Sequence, residues 1–191
     1  MVSILEWDQK ATIWLNSTGA PWADAFWLWI TEASSWYWMY AFVIALYFLL
    51  ERWWGLVTLA FTLITFGLAD WISVNGFKNV FERLRPCHQE GVMEFIRLVP
   101  EGCGGQFGFV SSHAANTFAL AFFFGHFFRR FWKASPWIFW LWCVLSAYSR
   151  VYLGVHYLGD ILGGAILGTA IGWIVWTAYG QMENRFRPLS L

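Results

Sequence analysis

Residues 161–180 read ILGGAILGTAIGWIVWTAYG, a stretch without a single charged side chain. A helix needs about 20 mainly apolar residues to cross about 30 Å of hydrocarbon, so this stretch predicts a membrane-spanning helix. The whole chain has a similar character, because 59% of its 191 residues are apolar and only 13% are charged. Average soluble domains have about 25% charged residues, and a chain with so few cannot cover a soluble surface.

Four earlier stretches have the length and composition of further spans. In approximate bounds they run over residues 33–50, 53–77, 112–128 and 136–149. Charged residues close two of them, since Glu51 and Arg52 follow the first and Arg129 follows the third. We therefore predict an all-α fold, an integral membrane helical bundle of about five transmembrane helices with N-terminal interfacial helices.

The N-terminal segment, residues 1–32, is interrupted by acidic residues and is too short between them to span a membrane. Trp7 and Trp14 fall on one face of a predicted helix, as in a helix that lies in the membrane interface. A helix packed on the rest of the protein fits the same pattern. We predict a single domain over 1–191, with this interfacial segment at 1–32 and a transmembrane bundle at 33–180.

The distribution of charge predicts an orientation and disfavours one class of partner. Five crossings place the N-terminal segment and the 78–111 loop on one side, and the 51–53 and 129–135 turns on the other. Lys78, Arg85 and Arg150 are candidate site residues for the reasons given below. When these three are left out, the second side holds more of the remaining Lys and Arg. This excess puts the long loop outside the cytoplasm. The net charge is zero, which disfavours a nucleic-acid binder.

Polar residues gather at span ends that this topology brings to one membrane face. The second span ends and the third begins at that face, and the fourth ends and the fifth begins there too. The groups are Lys78 with Arg85, then Ser111, Ser112 and His113, then Ser149, Arg150, His156 and Asp160. Counting spans alone therefore predicts one shared site.

These residue types suit a phosphate. Three cations can bind a phosphate dianion, and arginine can hold it through two N–H donors. Ser111 is placed to cap the third span, whose first amides would add donors toward an anion. His113 and His156 can transfer protons or act as nucleophiles near neutral pH. Asp160, four residues after His156, can bond one ring nitrogen and fix its tautomer.

Each of these residues also has a structural explanation. Basic residues at span ends can extend to the interface, and Arg150 can pair with a structural carboxylate. In another function class, the same residues could line the anion site of a membrane transporter. The two histidines together with Asp160 favour an enzyme, because a transporter has no evident need for them.

The spacing of these residues resembles the type 2 phosphatidic acid phosphatase (PAP2) family, whose motifs are K-x6-RP, PSGH and SR-x5-H-x3-D. The first motif matches at Lys78 and Arg85-Pro86, and the third at Ser149-Arg150, His156 and Asp160. The second departs at two positions, since residues 110–113 read VSSH. The resemblance covers about residues 66–172.

The resemblance implies a phosphatase that works through a phosphohistidine and uses no metal or other cofactor. Carried over to this chain, the catalytic residues are His156 as nucleophile, His113 as acid and base, and Asp160 as orienting carboxylate. The implied phosphate-binding residues are Lys78, Arg85, Ser111, Ser112 and Arg150, with Ser112 acting through its backbone amide. No metal-binding motif such as HExxH or CxxC occurs in the sequence.

By analogy with this family, we expect a bacterial inner-membrane enzyme whose site faces the periplasm or the outside. Its partners would be the membrane and a lipid phosphate or diphosphate. Undecaprenyl diphosphate ranks first among the substrates, with phosphatidylglycerol phosphate and lipid A phosphates as alternatives. The sequence does not determine the oligomeric state.

Three further features carry weaker signals. Cys87 and Cys103 lie in the predicted outer loop and either form a disulfide or remain free thiols. A row of small residues in the fifth span is typical of close helix packing within a bundle, and consists of Gly164, Gly168 and Gly172. Asp70 lies inside the second span, where we expect it to have a polar partner, with a role in proton transfer or substrate binding as the alternative.

Overall fold

The protein, seen in a computed structural model that describes residues 3–187, is a bundle of α-helices. Seven helices of this part have eleven or more residues: α1 (Ile4–Ser17), α2 (Pro21–Thr31), α3 (Tyr37–Glu51), α4 (Gly55–Trp71), α5 (Ser112–Phe128), α6 (Ser135–Tyr152) and α7 (Leu158–Phe186). No β-strand occurs between residues 3 and 187. The all-α membrane fold is confirmed, while the single domain over 1–191 stays a prediction whose ends, 1–2 and 188–191, lie outside the described residues.

Helices α3 to α7 correspond to the five predicted spans. By length and hydropathy, two helical stretches within residues 3–187 are apolar enough to cross a membrane, Ala33–Phe81 and Leu158–Phe186. The first stretch contains both α3 and α4, which are separated where Arg52 adopts a positive φ of 53°. The second is longer than the predicted span at both ends, since it begins three residues earlier, after the N-cap residue Tyr157, and continues six residues further, to Phe186.

The helical stretch that begins with α4 extends beyond residue 77, where the predicted second span ends. It continues as a π-helical stretch over Ile72–Lys78 and a last turn over Asn79–Phe81, which Glu82 ends in a left-handed conformation. Such π-helical stretches are rare and frequently occur at functional sites. Here the stretch carries Lys78 at its end.

Helix α5 lies at the centre of the bundle, packed against both α6 and α7. Small residues let α7 approach closely, because a Cβ atom on Gly168 would lie 2.2 Å from the carbonyl oxygen of Ala115. A Cβ on Gly172 would lie 2.8 Å from the carbonyl oxygen of Ala119. The glycine row therefore packs inside the bundle, as the sequence predicts.

Helix α1 docks on the bundle through a polar stripe rather than an apolar one. The stripe consists of three buried residues, Asp8, Thr12 and Asn16. The amide of Asn16 donates to the carbonyl oxygen of Tyr152 at 2.8 Å. Trp7 and Trp14 remain 60% and 67% exposed on the other face. The helix thus packs on the protein and still leaves an apolar face free, as an interfacial helix requires.

Candidate active site

Direct hydrogen bonds connect the polar groups that the sequence predicts to converge. The Nζ of Lys78 donates to the Oγ of Ser112 at 2.7 Å, which connects the first group to the second. The backbone N–H of Ser111 donates to the carbonyl oxygen of Asp160 at 3.0 Å, which connects the second group to the third. All three groups therefore lie at one end of the bundle, which we call the site end.

His156 and Asp160 form a buried pair at the start of α7. The Nδ1 of His156 lies 3.3 Å from the Oδ2 of Asp160, and the two side chains are 2% and 0% exposed. The same carboxylate oxygen accepts the backbone N–H of Tyr157 at 3.0 Å. Because Asp160 accepts from Nδ1–H, the lone pair of the neutral ring lies on Nε2, the nitrogen available to a substrate.

The surroundings of His156, in the turn between α6 and α7, keep its ring neutral. Burial lowers the pKa of His156 well below its ordinary value of 6.5, and the charges of Arg85, Arg150 and Lys78 lower it further. Only the neutral ring has a lone pair that can attack phosphorus. At neutral pH, His156 is therefore in its nucleophilic form.

Lys78, Arg85 and Arg150 form no ion pair with a carboxylate of residues 3–187. Arg85 is buried and donates through Nη1 to the carbonyl oxygen of Cys103 at 2.9 Å. Arg150 donates to the Oγ1 of Thr31 at 2.8 Å, and its Nε is buried without a hydrogen-bond partner. Buried cations without counter-ions are costly, so this end of the molecule is suited to binding an anion.

The two serines at the start of α5 have different contacts. Ser111 caps the helix as predicted, with its Oγ accepting the N–H of Ala114 at 3.4 Å. Ser112 has a side-chain contact that the sequence does not reveal, because its hydroxyl accepts from Lys78 and lies 2.7 Å from the Oγ of Ser73. The serine that replaces the family's glycine therefore also orients the lysine.

His113 lies in the first turn of α5, with its Nε2 2.8 Å from the Oγ of Ser146. It lines a cleft of about 200 Å³ together with Asn116 and other residues of α3, α4 and α6. A second cleft of about 310 Å³, lined almost entirely by apolar side chains, continues from it. The two clefts share Ala33, Tyr40, Phe66 and Leu120. A polar head at His113 could thus continue into an apolar tail.

Two charged residues that the sequence does not single out position Asp160: Arg83 directly and Asp8 through Arg83. Arg83 donates from Nη1 to the Oδ1 of Asp160 at 3.0 Å and from Nη2 to the Oδ2 of Asp8 at 2.6 Å. Asp8, on α1, also accepts the backbone N–H of Gly159 at 2.7 Å. This clamp, Asp8 with Arg83, therefore holds both Asp160 and the first turn of α7.

Gly108 packs directly against the His156–Asp160 pair. A Cβ atom at this position would lie 2.8 Å from the Oδ2 of Asp160 and 3.5 Å from the Nδ1 of His156. The backbone N–H of Gly108 donates to the carbonyl oxygen of Arg83 at 2.8 Å. The 78–111 loop therefore covers the pair at a residue where a side chain would collide with it.

Cys87 and Cys103 form a disulfide in the 78–111 loop, with their Cα atoms 6.2 Å apart. The carbonyl oxygen of Cys103 accepts from Arg85, so the cross-link holds this acceptor beside the arginine. Within residues 3–187, the ligand atoms of Cys87, His88 and Cys103 also lie within 4.8 Å of one another. The disulfide leaves no thiolate there for a metal ion.

Comparison with known families gives a match to most of the chain. The family model described as the PAP2 superfamily matches residues 53–183. This range contains all three groups of the site end, from Lys78 to Asp160.

Two curated relatives and a solved structure are similar to the chain. Lipid A 4'-phosphatase of Porphyromonas gingivalis is 31% identical over 191 residues, which cover 100% of this chain and 80% of that protein. A putative undecaprenyl-diphosphatase of Escherichia coli is 43% identical over 68 residues, which cover 34% of this chain and 32% of that protein.

The solved structure is that of a transmembrane PAP2-type phosphatidylglycerolphosphate phosphatase from Bacillus subtilis. It matches with a TM-score of 0.75 and 25% identity, over 96% of this chain and 89% of that one.

Proposed function

The chain belongs to the PAP2 superfamily and is a lipid phosphatase of that type, and on this premise we propose that it works through a phosphohistidine at His156. The observation that carries the proposal is the neutral, buried His156, which Asp160 orients beside three cations without counter-ions. A nucleophile held next to a ready-made anion site is what phosphoryl transfer requires.

In the first step, the Nε2 of His156 attacks phosphorus and the ester P–O bond breaks. The leaving oxygen takes a proton from the ring of His113, which the negative charge of the bound phosphate keeps protonated, so the alcohol departs neutral. Asp160 stabilises the positive charge that develops on His156, because its carboxylate bonds Nδ1–H.

In the second step, water attacks the phosphohistidine. His113, now neutral, accepts a proton from that water, the P–N bond breaks, and inorganic phosphate leaves. The reaction thus returns His113 to its protonated form and His156 to its neutral form. All proton transfers are assigned to side chains, so we propose that the reaction needs no metal ion.

The phosphoryl oxygens would be held by residues of all three groups, namely Lys78, Arg85, Ser111, Ser112 and Arg150. The unpartnered Nε of Arg150 is one donor already free for this purpose. The first amides of α5 add donors beyond the Ser111 cap. These contacts strengthen as charge spreads over the phosphoryl oxygens in the transition state.

As substrate we propose a lipid A-type phosphate. The similarity to lipid A 4'-phosphatase extends over the whole chain, whereas the similarity to the undecaprenyl-diphosphatase extends over 34% of it. Undecaprenyl diphosphate, which ranks first by family analogy alone, is the second candidate because that shorter match is 43% identical. The apolar cleft beside His113 supports a lipid tail in either case.

For the location, we propose the inner membrane of a bacterium with the site end facing the periplasm. Without Lys78, Arg85 and Arg150, the side opposite the site end holds more Lys and Arg, and such an excess is typical of the cytoplasmic side. Cysteine accessibility tests this orientation: an introduced cysteine at Glu90, in the outer loop, should react with a membrane-impermeant reagent in intact spheroplasts. Labelling only after the membrane is opened would contradict it.

The test of the activity is phosphate release by the purified full-length protein in detergent, with a chelator present. The substrates are a lipid A phosphate, phosphatidylglycerol phosphate and undecaprenyl diphosphate. We expect release from the first, loss of release in His156→Ala, and unchanged release in the control His88→Ala, which alters an exposed loop histidine. Inactivity of the wild type on all three would overturn the proposal and favour an anion transporter.

A further inference from the structure

Asp70 is a carboxylate within the second span, and the structure identifies its partner. The amide nitrogen of Asn116 donates to the Oδ1 of Asp70 at 3.1 Å. Asp70 is exposed on the last turn of α4 and forms no ion pair with another described residue. Ionisable residues at membrane depth are costly and usually belong to a functional site.

Asn116 has a second polar atom that no protein group satisfies. A carboxylate can only accept hydrogen bonds, so the amide nitrogen of Asn116 must face Asp70 and the amide oxygen must face elsewhere. That oxygen, Oδ1, is buried without a hydrogen-bond partner. A buried acceptor left alone is rare in native structures and indicates a missing donor.

These two side chains lie next to the group that would protonate the leaving oxygen. Asn116 follows His113 by three residues on α5, so it lies about 4.5 Å further along the same face of the helix. His113 and Asn116 both line the cleft of about 200 Å³. Phe66, one turn before Asp70 on α4, lines it as well.

We propose that Asp70 and Asn116 form a leaving-group subsite, which selects phosphate esters whose alcohol carries its own O–H or N–H donors. The proposal rests on the proposed function, because the leaving group must reach His113 and therefore enters this cleft. The Oδ1 of Asn116, which has no partner in the protein, and the carboxylate of Asp70 beside it would accept from the donors of the bound alcohol.

The chemistry of the subsite distinguishes two substrate classes. An acylated amino sugar offers hydroxyl and amide N–H donors next to its phosphate ester, and these fit the acceptors. A polyprenyl diphosphate releases a polyprenyl phosphate, whose negative charge would lie near the carboxylate of Asp70 and be repelled by it. The subsite therefore favours a phosphorylated glycolipid over a diphosphate.

Three substrates distinguish hydrogen bonding to the leaving group from charge repulsion by Asp70, in assays of the full-length protein in detergent. The first is an acylated glucosamine phosphate, which has donors and a neutral leaving group. The second is dodecyl phosphate, whose leaving alcohol has no donor apart from the ester oxygen. The third is farnesyl diphosphate, whose leaving group is an anion. The variants are Asp70→Asn and Asn116→Leu, with Asn75→Leu as the control.

We expect each site variant to lower kcat/KM about tenfold on the glycolipid phosphate, as for one lost hydrogen bond to a charged or buried acceptor. Both should leave dodecyl phosphate within about twofold of the wild type. Asp70→Asn should also raise kcat/KM on the diphosphate, because it removes the repulsion. Asn75→Leu should change none of the three, since the amide of Asn75 bonds only Trp71 of its own helix.

Equal losses on all three substrates would show that Asp70 and Asn116 merely join α4 to α5, and would overturn the subsite. Unchanged rates on all three would overturn it as well. Inactivity of the wild type on every substrate would instead overturn the proposed function, and the subsite with it. If Asn116→Leu fails to fold by thermal unfolding, Asn116→Asp replaces it; this variant adds a negative charge, so it should lower kcat/KM on the diphosphate and leave dodecyl phosphate within about twofold of the wild type.

Discussion

Charged residues lie at both ends of the bundle, but the two ends differ in whether their cations have carboxylate partners. At the site end, Lys78, Arg85 and Arg150 lie together without a carboxylate partner among the described residues. At the opposite end, Arg130 lies 2.6 Å from Glu183, and Arg187 lies 2.6 Å from Glu51.

The opposite end is closed as a structural network. Arg130 also lies within about 6 Å of the rings of Phe127, Trp176 and Tyr179, which adds cation–π contacts. Arg130 and Arg187 each have an acidic partner there, so neither needs a ligand as its counter-ion. The site end differs from this network because Lys78, Arg85 and Arg150 have no carboxylate partner among residues 3–187, whereas Arg130 and Arg187 do.

The largest expected effect comes from removing a cation at each end. Arg150→Gln should lower kcat/KM by roughly 100-fold or more, because it removes donors to the phosphoryl oxygens in the transition state. Arg130→Gln should keep kcat/KM within about twofold of the wild type and lower the thermal unfolding midpoint instead. Steady-state kinetics and thermal unfolding in detergent measure both. Equal losses of kcat/KM in Arg150→Gln and Arg130→Gln would contradict the assignment of only one end of the bundle to catalysis.

A smaller effect should follow from breaking the clamp that holds Asp160. Asp8→Asn or Arg83→Gln should lower kcat by roughly 10 to 100-fold, as for residues that orient a functional side chain. KM should change little, because neither residue is placed on the substrate. Arg83→Lys should recover part of the rate by keeping the charge.

The matched control for the clamp is Glu183→Gln, which breaks an ion pair at the opposite end. It should lower the unfolding midpoint and leave kcat near the wild-type value. If Asp8→Asn behaves like Glu183→Gln, the clamp is structural and does not position Asp160.

The smallest effect concerns the pH dependence of stability. The pKa of His156 is lowered in the folded protein, so the unfolded chain binds a proton more readily below pH 6.5. Stability should therefore fall as the pH decreases through 6.5, and His156→Gln should flatten that fall. Thermal unfolding between pH 8 and pH 5.5 measures the slope. Arg130→Gln should keep the wild-type slope, and an equal slope in His156→Gln would contradict the cause assigned here.

The sequence predicts the convergence of the site because two simple rules govern it. Helices that span a membrane must alternate, and the spacing of His156 and Asp160 is that of neighbours on a helix or its entry turn. The cap at Ser111 follows from its position before an apolar run. These features depend on local sequence and on span counting, and the structure has all of them.

Long-range polar contacts could not be predicted in the same way. Asp8, Thr12 and Asn16 form a polar stripe, which usually indicates an exposed face, yet here it is the buried face of α1. The stripe is buried because bundle groups such as Arg83 and the N–H of Gly159 satisfy it. The four-residue spacing of these polar residues indicates that they share one face of the helix. It does not specify which residues of the bundle they contact.

The pairing of Asp70 with Asn116 illustrates the same limit. The sequence predicts a polar partner for Asp70 because charge is costly in a span. It does not predict which residue, since 46 positions separate the two side chains. Their contact depends on the rotation of α4 against α5, which packing determines.

The central claim is that His156 carries the phosphoryl group, and its most direct test is rapid quenching of the purified protein with a 32P-labelled lipid phosphate. We predict a label on the peptide that contains His156 within the first turnover, stable in alkali and labile in acid, as a phosphoramidate bond should be. His156→Ala should give no labelled protein. Phosphate release without labelled protein, or a label on any other residue, would contradict the account.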